Sequence, residues 1–355
     1  MANTLAEKGY EVIIIVKNNY FSMMSRDTHN KLNIISYNSV LEAALLASNY
    51  NPLVFHCFMQ YAKSEECELM LKAGFKRVVF ETYDSLKGVR NIRMRIKYFE
   101  NIIYNTEKYC IENSAGVAMR DFGLVCQKER YGYNPKREIE FLDYCDAAQF
   151  KENSASNYDE IINVCYCGGS HEATRPGFVT ERHGLVSSLL SKENIHYHMF
   201  SAPSVSEIER ELLRKYDREI PGFHYHGTVP HDELIAEVFK MDASAFFASE
   251  DFSQQTFFTA ESIKYTCSNK HFDSLAAGLP LLNSGNVCTV LLNRFKEYGM
   301  VYEMPIDRIP ELAEDFKKKL PELKANVLKY RHLFAVQHHI DRLIDFYKEV
   351  GASND

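Results

Sequence analysis

Residues 268–280 read SNKHFDSLAAGLP, and this stretch decides the fold. Lys270 and Asp273 are three residues apart, so a helix places both side chains on one face near its N-terminus. The apolar residues that follow can point into a core, and Gly278 and Pro280 can end the helix and start a strand. The stretch is therefore either the end of a buried helix with an exposed ion pair, or a helix whose first turn faces a ligand.

Length and composition favour two globular domains. The chain has 355 residues, which is more than one hydrophobic core usually organises. Hydrophobic residues make up 46% and charged residues 25%, as in ordinary soluble proteins. The net charge of −7 gives no overall basic field, so nucleic acid is not an expected partner.

Several features indicate a cytoplasmic protein. No stretch approaches the roughly 18–20 apolar residues of a membrane-spanning helix, and the N-terminus lacks the basic start and apolar segment of a signal peptide. The nine cysteines are scattered without a CxxC pair, which favours reduced thiols. Peripheral association with the inner face of the membrane stays open, since a few basic residues on one face suffice for it.

Short apolar strands alternate with helices along the whole chain, a pattern typical of parallel α/β sheets. The predicted strands cover residues 10–16, 52–57, 76–80, 115–119 and 139–142, and then 161–167, 195–200, 223–226, 243–247 and 281–283. The polar stretch 150–158 predicts a linker. We therefore predict one domain at 1–152, a second at 158–330, and a final helix in 331–355 that packs back on the first domain.

The start of the chain looks like the middle of a βα series. A helix closed by Gly9 leads directly into the strand at 10–16. In a parallel α/β sheet such a helix normally follows an earlier strand. We therefore expect the first βα unit of this domain to be missing.

Three stretches resemble the donor-sugar domain of GT-B glycosyltransferases, in particular the large retaining group (glycosyl transferases group 1, family 4-like). Residues 164–169 resemble the strand and glycine turn that open that domain, and residues 223–234 resemble its next strand, glycine and acidic helix start. Residues 268–280 resemble the segment Ser/Pro-x-Lys-x-x-Glu-Tyr-Leu-Ala-x-Gly-x-Pro and are the most specific of the three. The resemblance implies two Rossmann-like domains with parallel sheets facing across a cleft.

The resemblance also implies how a nucleotide-sugar donor would be held. Lys270 would contact the diphosphate and Asp273 the ribose diol, although the family usually has the longer Glu at the latter position. Gly168, Gly169 and Gly227 would form turns close to the donor. A larger set of loop residues is implied more weakly: Arg175 as a cation for the leaving diphosphate, and His56 and Glu250 as catalytic residues that contact the acceptor and the donor sugar.

Two His-x-His pairs suggest a metal site only at first sight. His196 and His198, and likewise His224 and His226, share a strand face. Neither pair has a third ligand nearby in the sequence, so packed or edge histidines are the simpler interpretation and we predict no metal site. The metal-chelating Asp-x-Asp motif is also absent from the sequence, in agreement with metal-independent transfer.

Together these features predict a metal-independent glycosyltransferase that needs no cofactor beyond its nucleotide-sugar substrate. The acceptor would be a glycan, a lipid-linked sugar or a small molecule, and the process cell-surface polysaccharide biosynthesis. Two alternatives stay open: a catalytically silent GT-B-like binding or partner subunit, and a nucleotide-sugar epimerase of the same fold.

Overall fold

The computed structural model describes residues 1–18, 32–58, 64–83, 97–150, 161–174, 182–247, 264–285 and 288–352. The chain divides into two compact units. The first comprises Met1–Tyr144, Phe257–Cys267 and Val336–Asp355, and the second comprises Cys145–Thr256 and Ser268–Ala335. The boundary thus falls a few residues before the polar stretch 150–158, most of which lies outside the described residues. The last helix belongs to the first unit.

The first unit is built from parallel strands and helices. Its elements are α1 (Ala2–Glu7), β1 (Ile13–Lys17), β2 (Asn33–Tyr37), α2 (Val40–Ser48), β3 (Phe55–Phe58), α3 (Glu65–Lys72), β4 (Val78–Thr82), α4 (Lys97–Asn113), β5 (Gly116–Met119), α5 (Gly123–Tyr131) and β6 (Glu138–Glu140). Strands β1 and β2 form one parallel pair, and β3–β4–β5–β6 form a second parallel sheet.

The second unit contains a six-stranded parallel sheet. Its elements are β7 (Ile162–Gly168), α6 (His183–Lys192), β8 (Ile195–Ser201), α7 (Glu207–Glu219), β9 (Phe223–Gly227), α8 (His231–Val238), β10 (Ala243–Phe247), α9 (Asn269–Ala276), β11 (Leu281–Ser284), α10 (Thr289–Lys296), β12 (Val301–Glu303) and α11 (Ile309–Tyr330); α12 (Val336–Ala352) then returns to the first unit. The predicted α/β class with parallel sheets in two domains is confirmed.

The strand order of the second unit creates a switch point. The order is β12-β11-β10-β7-β8-β9, so the chain builds outward from β7 in one direction and then from β10 in the other. In open α/β sheets, ligands bind at the carboxyl ends of the strands where the order reverses. Here β7 ends at Gly168, within the predicted glycine turn.

The sequence pattern did not indicate every helix and strand. Strand β2 and helix α5 were not predicted in the first unit, nor were α7, α10 and β12 in the second. The final helix predicted within 331–355 begins at Val336, because Ala335 before it has an extended backbone (φ −90°, ψ 145°). Ala335 forms an isolated parallel bridge with Cys145, so two chain segments that lead out of the second unit are paired.

A buried ion pair fastens α11 to the sheet of the second unit. Lys324 Nζ lies 3.1 Å from Asp242 Oδ1, and Asp242 Oδ2 accepts a hydrogen bond of 2.8 Å from the backbone N–H of Asn163 in β7. The two side chains are only 8% and 2% exposed. Because the carboxylate is so deeply buried, losing its cation leaves a charge that solvent cannot stabilise.

We predict that Lys324→Met lowers the free energy of unfolding by about 3–5 kcal/mol, because the buried Asp242 carboxylate would lose its cation. The matched control is Lys317→Met on the same helix, which removes a more exposed i,i+3 pair with Glu314. Urea denaturation followed by circular dichroism measures both variants. Equal midpoints for the two variants would contradict the assigned role of the pair.

Candidate active site

The Lys270 side chain is held against Tyr166 of β7. Its Nζ donates a hydrogen bond of 2.7 Å to the Tyr166 hydroxyl and lies 4.4 Å from the centre of the same ring. Lys270 is in the first turn of α9, which Ser268 precedes in an extended conformation. The predicted helix start is therefore correct, and it places a half-buried ammonium group beside the strand at the switch point.

Gly168 leaves room for the Lys270 side chain at the end of β7. A Cβ atom at this position would overlap Lys270 Cε and Nζ. Gly168 is the last residue of β7, and its carbonyl accepts a 2.8 Å hydrogen bond from the Ala202 backbone N–H. Because Gly168 has no side chain, the Lys270 ammonium group can lie next to the end of the central strand. Gly169 follows Gly168 directly.

Asp273 lies on the same helix face and is exposed. Lys270 and Asp273 line one small cavity, whose other walls come from Gln149, Cys167, Leu234, Val238, Ser244, Ser274, Ala276 and Ala277. Its volume is about 50 Å³. Sites that enclose a small molecule usually measure roughly 300–1,000 Å³. The cavity is thus too small to enclose a nucleotide by itself.

The loop after the glycine turn is fixed by a buried carboxylate from α7. Glu209 is fully buried and accepts hydrogen bonds from the Ser170 hydroxyl (3.0 Å) and from the backbone N–H groups of Ala173 (2.9 Å) and Thr174 (2.7 Å). Burial alone would raise the pKa of this carboxyl, but the hydrogen bonds from Thr174 and Ala173 outweigh it and lower the pKa. Glu209 therefore stays ionised and orders the loop.

Two buried histidines flank the lysine. His183, the first residue of α6, has Nδ1 3.0 Å from the Tyr197 hydroxyl, and its ring packs edge-on against Tyr166 at 5.0 Å. Burial lowers the pKa of His183 to about 3, and the charge of Lys270 contributes. His271 is stacked on Phe246 at 4.2 Å, and burial lowers its pKa to about 3 as well. Both rings are therefore neutral at neutral pH.

Gly227 stands apart from this group. It ends β9 with φ +70°, and nothing lies within 4 Å of where its Cβ would be, so its backbone conformation is what favours glycine there. In the sheet register Gly227 is opposite Phe200, which is opposite Cys167. Two strand spacings, about 10 Å, thus separate it from the end of β7. Arg175 and Glu250 lie outside the described residues.

His56 lies in the first unit, in a buried polar cluster. Its Nδ1 is hydrogen-bonded to the Tyr347 hydroxyl, and its Nε2 is 3.3 Å from Glu81 Oε2. Glu81 also lies 3.6 Å from Arg120, which in turn pairs with Asp143. Burial raises the pKa of Asp143 despite the attraction of Arg120. The sequence did not reveal this cluster because its members come from distant strands and from α12.

The four strand histidines pair across β8 and β9. His198 Nδ1 is 2.9 Å from His226 Nε2, and His196 Nδ1 is 3.0 Å from His224 Nε2. Among the described residues, no three or more His, Cys, Asp or Glu side chains converge as a metal centre. All nine cysteines are free thiols, eight of them buried. None of the described helices has the length and apolar character needed to cross a membrane.

Comparison with known proteins adds a fold but no sequence family. No family model matches the chain, and no curated protein matches it. Among solved structures it is similar to sucrose-phosphate synthase from Thermosynechococcus elongatus, with 13% identity, a TM-score of 0.67 and coverage of 99% of this chain and 92% of that one. The chain has the GT-B fold.

Two other solved structures share this GT-B fold. One is HepE from Anabaena in complex with UDP-glucose, with 11% identity, a TM-score of 0.64 and coverage of 94% of this chain and 91% of that one. The other is a putative UDP-N-acetylglucosamine 2-epimerase from Listeria monocytogenes, with 9% identity, a TM-score of 0.59 and coverage of 99% and 92%. At these identities the likeness is one of fold alone.

The buried neutral histidines predict a pH-dependent stability. Between pH ~6.5 and pH 3 the unfolded chain protonates these rings while the folded chain does not, so stability falls as the pH falls. We predict that lowering the pH from 6.5 to 5 reduces the free energy of unfolding of the parent chain by about 1.5 kcal/mol more than that of His271→Gln. Urea unfolding at both pH values measures this. A pH dependence in His271→Gln identical to that of the parent chain would contradict the assignment.

Proposed function

We propose that this chain is a glycosyltransferase that moves a sugar from a nucleotide-diphosphate sugar to an acceptor. The observation that carries the proposal is the Lys270 ammonium group held over Gly168, at the carboxyl end of the strand where the sheet order reverses. A fixed cation at this point suits the diphosphate of the donor. The GT-B fold is the second support.

Residues of the second unit would divide the donor between them. Lys270 and the first N–H groups of α9 would bind the diphosphate, which lies where the helix dipole is positive. Asp273 would accept hydrogen bonds from the ribose hydroxyls, and the backbone at Gly168 and Gly169 would allow close approach. Positive groups rather than a metal would then stabilise the leaving diphosphate.

Loop residues outside the described ranges complete this proposal. We assign Arg175 as a further cation for the diphosphate and Glu250 as the acid that contacts the donor sugar. The first unit would supply His56 for the acceptor hydroxyl. In that role Glu81, whose Oε2 lies 3.3 Å from His56 Nε2, would hold the ring in its orientation.

The proposed acceptor class rests on the resemblance seen in the sequence and not on particular residues of the structure. We propose a glycan, lipid-linked or small-molecule acceptor in cell-surface polysaccharide synthesis, on the cytoplasmic side and with peripheral membrane contact. UDP-sugars are the first donors to test, because HepE, one of the structures with this fold, was solved with UDP-glucose.

An epimerase is the second candidate, since a putative UDP-N-acetylglucosamine 2-epimerase shares the fold. The two activities differ in their products. Incubation with UDP-N-acetylglucosamine and no acceptor would yield the C2 epimer, visible by proton NMR, only for an epimerase.

We predict that a nucleotide sugar raises the melting temperature, and that Lys270→Ala weakens its binding about 10–100-fold, because a hydrogen-bonded charge on the diphosphate is lost. Thermal shift titrations with UDP-, GDP- and dTDP-sugars measure this. The control is Lys215→Ala, an exposed lysine of α7 paired only loosely with Glu219 at 3.8 Å. Equal affinity in Lys270→Ala and the parent, or no response to any nucleotide, would contradict the proposed donor site.

A second prediction separates acceptor chemistry from donor binding. His56→Gln should keep the affinity for the nucleotide sugar while slowing its turnover about 10²–10⁴-fold, as expected when a proton-transfer group is removed. Hydrolysis of whichever nucleotide sugar stabilises the protein gives the rate, with water as acceptor. An unchanged rate would show that His56 takes no part in the reaction, without contradicting the proposed donor site.

A further inference from the structure

A cavity with a strongly basic lining lies at the amino ends of three neighbouring strands of the first unit. Lys76 lies just before β4, Ala115 before β5 and Arg137 before β6, and these strands are adjacent in the sheet. The volume of the cavity is about 230 Å³. Its polar and aromatic lining consists of Lys76, Lys136, Arg137, Asn113, Tyr109 and Phe75. We call it the basic cavity, and no residue assigned to the sugar transfer lines it.

The three cations of the basic cavity have no carboxylate partner within the described part of the chain. Two acidic residues next to the lining in sequence are engaged by lysines outside it. Glu138 Oε1 lies 2.7 Å from Lys128 Nζ, and Glu112 Oε1 lies 3.7 Å from Lys108 Nζ. Positive charges gathered in this way repel one another unless an anion lies between them. The charge of the cavity therefore suits an anionic ligand, although the chain as a whole carries a net charge of −7.

Two helices end beside the basic cavity, and open carbonyl groups at a helix end would disfavour an anion. The last carbonyls of α3 are closed, because the backbone N–H groups of residues 73–75 bond to the carbonyls of residues 69–71. At the end of α4, Lys136 Nζ donates a hydrogen bond of 3.4 Å to the carbonyl of Asn113, the last residue of the helix. Lys136 thus offsets that helix end, which leaves the exposed Lys76 and Arg137 for a ligand.

We propose that the basic cavity binds a phosphate group, carried either by a small soluble anion such as pyrophosphate or by a lipid head group. The guanidinium group of Arg137 can donate two parallel hydrogen bonds to phosphate oxygens, and the ammonium group of Lys76 can add a third. The volume lies just below the roughly 300–1,000 Å³ of sites that enclose larger organic ligands, so a small phosphate compound matches it better than a nucleotide sugar. The anion would join the segments that lead into β4 and β6.

The test is pyrophosphate binding by the full chain, measured in a Lys270→Ala background so that the proposed donor site does not contribute. Titration calorimetry should show saturable binding that weakens as salt is added. Adding Arg137→Ala or Lys76→Ala should weaken this binding about tenfold, because a hydrogen-bonded charge is lost. The control Lys8→Ala also removes one positive charge from the first unit, but Lys8 pairs with Asp341 and does not line the cavity. It should bind as the background does, and circular dichroism checks that each variant is folded.

Vesicles distinguish a soluble anion from a lipid head group. Cosedimentation is measured with phosphatidylcholine vesicles that contain or lack phosphatidic acid. Pyrophosphate binding that Arg137→Ala weakens supports a soluble ligand, and cosedimentation that requires both phosphatidic acid and Arg137 assigns the cavity to a lipid phosphate. Either of two results would overturn the proposal: neither pyrophosphate nor phosphatidic acid is bound, or Arg137→Ala and Lys76→Ala both bind as the background does.

Discussion

The contact between the Lys270 ammonium group and the Tyr166 side chain is the interaction on which the candidate site depends. Tyr166 is buried in the central strand, so its hydroxyl and ring provide a rigid support for the cation. Without it, a half-buried lysine would lose hydration with little in return. Gly168 is the complementary constraint, because any side chain there would displace the ammonium group.

The titratable groups near that contact are two neutral histidines and the Glu209 carboxylate. His183 and His271 are buried and neutral, and the positive charge of Lys270 contributes to the lowered pKa of each. The Glu209 carboxylate is engaged by the loop that follows the glycine turn. Both oxygens of the Glu209 carboxylate thus already accept hydrogen bonds from this loop. The Lys270 ammonium group can exchange its neutral partner, the Tyr166 hydroxyl, for a phosphate oxygen.

Local patterns in the sequence predicted the local parts of the site. The glycine turn after β7 and the helix that carries Lys270 and Asp273 follow from short-range signals. The supports came from far along the chain: Tyr166 is 104 residues from Lys270, and Tyr347 is 291 residues from His56. Helix α7, which carries Glu209, was overlooked although Ser206 caps its start. Tertiary contacts of this range leave no periodic trace in one sequence.

The central claim is that Lys270 binds the donor diphosphate at the end of β7. The most direct measurement is a crystal structure of the chain with the nucleotide diphosphate that stabilises it. The account predicts a diphosphate oxygen about 2.7–2.9 Å from Lys270 Nζ, with the Tyr166 hydroxyl replaced as the principal partner. A diphosphate bound elsewhere, with the Lys270–Tyr166 contact unchanged, would contradict it.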